Sequence, residues 1–335
     1  MVRPTKGEKK PLISVVIAGH NRPDSLRETL RALREQTLPA SQYEVLVIGF
    51  PPTTLQAVAD ENKKLAKHAF HYHEIGSRWP DAKRNEGIRR ALGNIVAFTD
   101  DDVVPAPDWL EKIKDFFHSH PDAVGVEGRT TGNNTPLLSH ATRNEKGFEF
   151  PACNYAFRKG ILEKIGGFDE AYHFFREDTD LAYKAMQFGK VPFDPHILVF
   201  HPTRFTQPAA ILRELGMTRG EIRLAKKFPK TYYRKYGIVG KGGWKQALIT
   251  WVAVGAIFFF LMKEFWLLAL VILSILFLIR YLISFRGRTF TFSQALWVFA
   301  YMGIRDLAYP FFFTYYWFTE HPKVEEAAGS EQLAL

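Results

Sequence analysis

Cysteine is almost missing from this chain: Cys153 is the one such residue in 335. No internal disulfide can form, so the fold must rest on a packed core, and a reducing compartment is expected. The first ten residues, Met1 to Lys10, are polar and basic and run straight into an apolar strand. They hold no apolar core of roughly 7–15 residues, so no secretory signal is predicted. Acidic residues are scarce in one stretch: between Thr203 and Lys245 there are 11 Lys and Arg against 2 Glu, an excess equal to the +9 of the whole chain. Nucleic-acid binding is one reading of such a stretch, but no stacking platform or reading helix accompanies it, and lipid-like sequence adjoins it. No nucleic-acid partner is expected.

What the chain does have is apolar runs of two lengths. Short ones, Leu12–Ala18, Tyr43–Ile48 and Ile95–Thr99, read as buried strands, with a shorter strand at Phe70–Glu74. Amphipathic stretches from Pro23, over Leu55–Lys67 and over Asp81–Leu92, lie between them. This alternation predicts an α/β domain over 1–202 with a doubly wound, mostly parallel sheet, whose ligand sits beyond the carboxyl ends of the strands. The long runs, 244–262 and 265–285, each approach the ~20 residues that span a bilayer, and Lys263-Glu264 is the only polar break between them. Basic residues flank the pair (Lys241 and Lys245 before, Arg280, Arg286 and Arg288 after), which predicts both ends on the cytoplasmic side. A third run, 293–318, carries Arg305-Asp306 and Pro310; it reads as membrane-embedded, spanning or re-entrant. The basic amphipathic segment 203–243 reads as lying on an anionic membrane surface, and the acidic tail 321–335 as disordered. The expected location is the inner (plasma) membrane, multi-pass, with the α/β domain cytoplasmic. Pairing of the apolar hairpin with a copy of itself is an open alternative.

The chemistry concentrates in two acidic clusters. Asp100-Asp101-Asp102 ends an apolar strand, and Glu177-Asp178-Thr179-Asp180 follows some 75 residues later. Carboxylates packed at a buried strand tip repel one another unless a cation sits there. A strand placing Asp100 and Asp102 on one face offers hard oxygen ligands suited to Mg²⁺ or Mn²⁺ carrying a diphosphate. His68, His71 and His73 have a metal-like spacing but read as a surface feature of a strand.

Together these segments resemble the family 2 glycosyltransferases, with their GT-A fold and nucleotide-diphosphate-sugar donors. The resemblance covers roughly Pro11 to His201. It is carried by Ser14-Val15-Val16-Ile17 with His20-Asn21-Arg22, by the ARNxG-like Ala82–Ile88, and by the DxD-like Phe98–Asp102. Cys153–Arg158, Gly166–Glu170, the ED-x-DL element Glu177–Leu181 and Val199-Phe200-His201 complete it. The resemblance implies donor contacts at His20, Asn21, Arg22, Arg84, Asp100 and Asp101, and metal ligands at Asp102, Asp100 and His201. It implies Asp178 as general base with Glu177 beside it, and Asn154, Trp109 and Asp180 on the acceptor side. Lys83 is a further candidate to face the phosphates. A lipid-linked acceptor, a single transfer and inversion of the anomeric carbon are expected; the Q-x-x-R-W element of processive members is missing. Gly49-Phe50 stands where family members carry a pair of aspartates for the nucleotide base. A nucleotidyltransferase, for which Gly19–Arg22 is a poor phosphate loop, and an inert membrane scaffold of the same fold are the alternatives.

Overall fold

The computed structural model describes residues 10–51, 54–133, 139–140, 142–202, 204–205, 210–236 and 292–325, with isolated positions at 252, 255, 256 and 275. The described residues fall into two compact units: 10–133 with 142–202, and 139–140 with 204–236 and 292–325.

In the first unit β1 (Ile13–Ala18), β2 (Tyr43–Gly49), β3 (Ala69–Glu74) and β4 (Ile95–Asp100) lie parallel in the order β3-β2-β1-β4. β1 and β2 are buried at every position. They are covered on both faces, which is why they read as unbroken apolar runs rather than as alternation. The sheet continues through β8 (Tyr155–Arg158), β6 (Gly125–Thr131), β9 (Phe193–Phe200) and β5 (Val104–Pro105). There β8 is antiparallel to β4 and to β6, and β5 is antiparallel to β9. This corrects the expected doubly wound, mostly parallel sheet: its second half is mixed. The strand after β4 in sequence is two residues long, so the chain fills the edge by later returns instead of by further βαβ crossovers.

Helices α1 (Pro23–Arg34), α2 (Leu55–Leu65), α3 (Pro80–Arg90) and α4 (Trp109–Ser119) connect the strands, joined later by α5 (Lys159–Lys164) and α6 (Glu177–Ala185). Pro23 and Pro80 open α1 and α3, where their fixed φ suits the first turn. Leu26, Leu30 and Leu33 are the buried stripe of α1. On α3, Gly87 faces Val16 so closely that any Cβ would strike its side chain. That closeness sets α3, with its Lys83 and Arg84, directly over β1.

His68 departs from the surface expectation. It is buried against the Tyr43 ring, 4.7 Å between centroids, whereas His71 and His73 remain partly exposed. Burial, helped by Arg34, lowers its pKa to about 4. A histidine held neutral in the fold contributes its full stability above its unfolded pKa, near 6.5, and loses it as pH falls toward 4. The shift corresponds to about 3 kcal/mol at most. Urea unfolding at pH 7 and pH 4.5 is expected to show a smaller loss on acidification for His68→Phe than for wild type; equal losses would remove the assignment.

In the second unit, α7 (Ala210–Lys227) and α8 (Pro229–Tyr236) are joined by α9 (Phe292–Thr319), and β7 (Ser139–His140) pairs with β10 (Arg204–Phe205). In segment 203–243, read as lying on a membrane surface, Leu215, Ile222, Leu224 and Ala225 are buried, and α7 packs on α9. Arg219 and Arg223 both reach Glu320, and Lys226 donates to the Trp317 and Glu320 carbonyls. α9 runs unbroken through Pro310. Among the described residues no helix is long and apolar enough to cross a membrane. The runs 244–262 and 265–285 lie outside them, isolated positions aside, as does 326–335 of the acidic tail; Glu325 pairs with Lys227.

Candidate active site

The β4 strand ends at Asp100, and Asp101 and Asp102 occupy the turn beyond it. The pairing of Asp100 with Asp102 is therefore made by a turn, not by the pleat of a strand. Asp101 is fully buried and faces the loop after β1: it accepts the His20 backbone N–H at 2.5 Å and Arg22 Nη1 at 3.1 Å. This contact follows from register, since Ala18 at the end of β1 is the partner of Asp100. Arg22 Nη1 also donates to Asp102 at 2.6 Å. His201 arrives from the opposite direction. Val104 pairs with Phe200, so the chain leaving the aspartate turn runs beside the strand that delivers His201.

Ligand atoms of Asp100, Asp102 and His201 lie within 4.8 Å of one another. His201 Nδ1 lies 3.0 Å from the Pro202 carbonyl, to which it can donate, and this turns Nε2 toward the cluster, 3.9 Å from Asp102. A histidine whose second nitrogen is fixed this way presents the other one to a metal. Two carboxylates and one imidazole suit Mg²⁺ or Mn²⁺, so the donor set fits the expected divalent ion. Burial, then Asp100, raises the Asp102 pKa, against the pull of Arg22. At Asp100 burial works upward as well, but Arg84, then His201, outweigh it and hold the pKa below the ordinary carboxylate value.

Arg84 joins the two acidic clusters. Buried on α3, it donates Nη2 to Asp100 at 2.9 Å and Nη1 to Glu177 at 3.0 Å, and lies over the Phe168 ring. Burial opposes its charge, but Asp100 and Glu177 more than offset this and it stays protonated. Burial, then the adjacent Asp178, push Glu177 up to about 8. Asp178 is raised as well, by burial, and it is the more accessible of the two. Its Oδ1 accepts the Thr179 N–H at 2.7 Å and its Oδ2 the Ala152 N–H at 3.4 Å. Both sit in the first turn of α6, where the helix dipole favours negative charge. The approach to this helix is unusual: His173, Phe175 and Arg176 all have φ between 59° and 74°. Non-glycine residues held there cost of order 1–3 kcal/mol each, and such strain tends to gather at functional sites.

Other expected residues fall elsewhere. Asn21 is exposed and accepts from the Thr54 N–H and hydroxyl, tying the β1 loop to the start of α2. Trp109 and Asn154 are fully buried partners: the indole N–H donates to Asn154 Oδ1 at 2.8 Å, and the Asn154 amide donates to the Arg129 and Ile197 carbonyls. Asp180 is also fully buried, 3.6 Å from Lys184 Nζ. All three, expected on the acceptor side, are buried and held by partners inside the first unit. Two residues went unread. Asp81, fully buried with a pKa raised by burial to about 6, accepts the Ala82 N–H and a bond from the His173 backbone. Glu127 accepts backbone N–H groups from Phe148, Glu149 and Phe150, shaping the loop that leads to Ala152.

Residues 14–179 match the family described as Glycosyl transferase family 2, so the chain carries a family 2 glycosyltransferase domain. Among its relatives is the glycosyltransferase AglE of Haloferax volcanii, 27% identical over 218 residues, 58% of this chain and 68% of that protein. The pre-mycofactocin glycosyltransferase of Mycobacterium tuberculosis is 25% identical over 272 residues, 75% of this chain and 54% of that protein. The glucosyl-dolichyl phosphate glucuronosyltransferase of Haloferax volcanii is 29% identical over 176 residues, 47% of this chain and 56% of that protein. The chain thus spans about half the length of the latter two. The mannosyltransferase PcManGT from Pyrobaculum calidifontis, solved with GDP-Man and Mn²⁺, has a TM-score of 0.50 at 19% identity, covering 64% of this chain and 63% of that one. That likeness is one of fold: an α/β, GT-A-like domain with a mixed sheet.

Proposed function

We propose that the protein transfers one sugar from a nucleotide-diphosphate sugar to an acceptor hydroxyl or phosphate, inverting the anomeric carbon. The observation that carries this reading is the convergence of Asp100, Asp102 and His201 beside Arg22, with Arg84 linking them to Glu177 and Asp178. A divalent ion held by the first three would neutralise charge on the departing diphosphate. Arg22 places a guanidinium at the same edge, where it can pair with phosphate oxygens. Asp178 takes the proton of the acceptor hydroxyl as its oxygen bonds the anomeric carbon and the bond to the diphosphate oxygen breaks. Glu177, tied to Arg84, shares the proton load of the pair.

Two apolar runs, 244–262 and 265–285, support anchoring in the inner membrane with the catalytic domain on the cytoplasmic side. A lipid-linked acceptor fits such a tethered site, which raises the effective concentration of a membrane-bound substrate. One relative's name includes a dolichyl phosphate acceptor, which favours the same class.

The test is release of nucleotide from a panel of UDP- and GDP-sugars by the full chain with Mn²⁺. Release is expected to stop on chelation and to return with added metal. Asp102→Ala is expected to abolish metal-dependent donor binding, read by calorimetry. Turnover that survives chelation would defeat the metal role, and binding of no nucleotide sugar would defeat the reading.

A further inference from the structure

Three parallel strands end side by side in the outer half of the sheet: β1 at Ala18, β2 at Gly49 and β3 at Glu74, with Gly49 and Glu74 register partners. A ligand of such a sheet sits beyond these ends. Gly49 offers it no side chain, and the space a side chain would take is filled. A Cβ at Gly49 would lie 2.5 Å from the Tyr72 hydroxyl oxygen and 3.1 and 3.2 Å from two of its ring carbons. Tyr72 comes from β3, and its hydroxyl donates to Glu74 Oε1 at 2.8 Å. The Ile75 N–H donates to the Gly49 carbonyl at 3.1 Å, fastening the exit of β3 to the end of β2. Glu74 itself is exposed. One of its oxygens is thus aimed by a buttressed tyrosine while the carboxylate stays open to solvent. It is the sole carboxylate among the last residues of these three strands, and Gly49 and Tyr72 read as two halves of one exchange of volume.

We propose that Glu74, aimed by Tyr72, reads the base of the donor nucleotide by accepting a hydrogen bond from a ring N–H. The inference rests on the sugar-nucleotide reading above and names the class of donor. An ionised carboxylate has only acceptor oxygens. Uracil and guanine carry a ring N–H on their pairing edge, whereas adenine and cytosine carry a ring lone pair there, which a carboxylate repels. A site built to bond a donor group rejects the ligand that lacks it, because its own polar group is left unpaired. Donors bearing uracil or guanine are therefore preferred over those bearing adenine or cytosine, whose exocyclic amine is their only donor on that edge.

The experiment is calorimetric titration of the full chain, with Mn²⁺, by UDP, GDP, ADP, CDP and inorganic diphosphate. Wild type is expected to bind UDP or GDP roughly ten- to hundredfold more tightly than ADP and CDP, the range of one hydrogen bond to a charged group. Glu74→Gln, whose amide can also donate, is expected to erase that ranking and leave inorganic diphosphate unchanged. Tyr72→Phe keeps the carboxylate but loses its aim, and is expected to fall between the two. Glu74 is exposed, so the thermal midpoint of Glu74→Gln is expected to match that of wild type. A wild type that binds these nucleotides without discriminating, or a ranking that Glu74→Gln leaves intact, overturns the role of Glu74 alone. Binding of none of the four nucleotides with Mn²⁺ overturns the sugar-nucleotide reading and this inference together.

Discussion

Asp178→Asn is expected to lower sugar transfer by roughly 10²–10⁴-fold, the usual contribution of a positioned general base, while donor affinity stays within error of wild type. The substitution is nearly isosteric, and Asn retains an oxygen for the Thr179 N–H that Asp178 accepts at 2.7 Å. What it loses is the capacity to take a proton, together with the long 3.4 Å bond accepted from the Ala152 N–H. Glu177 is a poor replacement: it is buried and already engaged by Arg84 at 3.0 Å. Donor binding is spared because the residues proposed to hold it stand on β4, α3 and the β1 loop, not on α6. The pH profile separates a base from a structural residue. Glu177 is raised to about 8 and Asp178 is raised too, and the two titrate as a pair. A base works only when deprotonated, so wild-type rate is expected to climb with pH over a range lying above that of an ordinary aspartate. The Asn variant is expected to be slow and nearly flat over the same range. Wild-type turnover in the variant, with donor saturating, would take Asp178 out of the role.

What could be read from the sequence follows the range of the interaction. β1, β2 and β4 announced themselves because strands covered on both faces must be apolar throughout, and α3 as the amphipathic stretch between two of the strands. The aspartate run was visible as charge ending an apolar segment. The mixed half of the sheet was not: β5 is two residues and β8 four, too short for a period to show. β6 carries Glu127, Arg129, Thr130 and Thr131, and β9 opens through Asp194, Pro195 and His196, which break the apolar pattern. Nor does local sequence reveal that Asn154 spends its amide on two carbonyls of neighbouring strands while it accepts the Trp109 indole N–H. A polar residue held by long-range hydrogen bonds looks, in sequence, like one waiting for a ligand. The same limit applied to α7, whose apolar positions gave no sign in local sequence that α9 packs against them. Gly49 could be read as a missing aspartate, but its cause lay on β3, in a tyrosine 23 residues downstream.

Arg84→Met is expected to destabilise the first unit by roughly 3–5 kcal/mol, as breaking a buried ion pair from one side does. For a unit of this size that corresponds to a fall in thermal midpoint of roughly 6–20 °C. Methionine keeps most of the volume over the Phe168 ring, so packing loss is small and the effect is electrostatic. Asp100 and Glu177 would then share a buried region without the cation that both now contact at about 3 Å. Each would relieve itself by holding a proton: the Asp100 pKa, now held low by Arg84, would rise above its unfolded value, and Glu177, already at about 8, would rise further. The sign follows: the cost vanishes below the unfolded pKa, near 4, and grows as pH rises through the elevated folded value. The gap between variant and wild type is therefore expected to be widest above neutrality and to narrow on acidification, opposite to the trend assigned to His68. A double-mutant cycle with Glu177→Gln checks the partner. If Arg84 and Glu177 act on each other, the double variant is expected to be more stable than the sum of the two singles predicts. A gap that is flat with pH, or strict additivity, would show that Arg84 braces α3 by packing alone, and would cut the link it makes between the aspartate turn and α6.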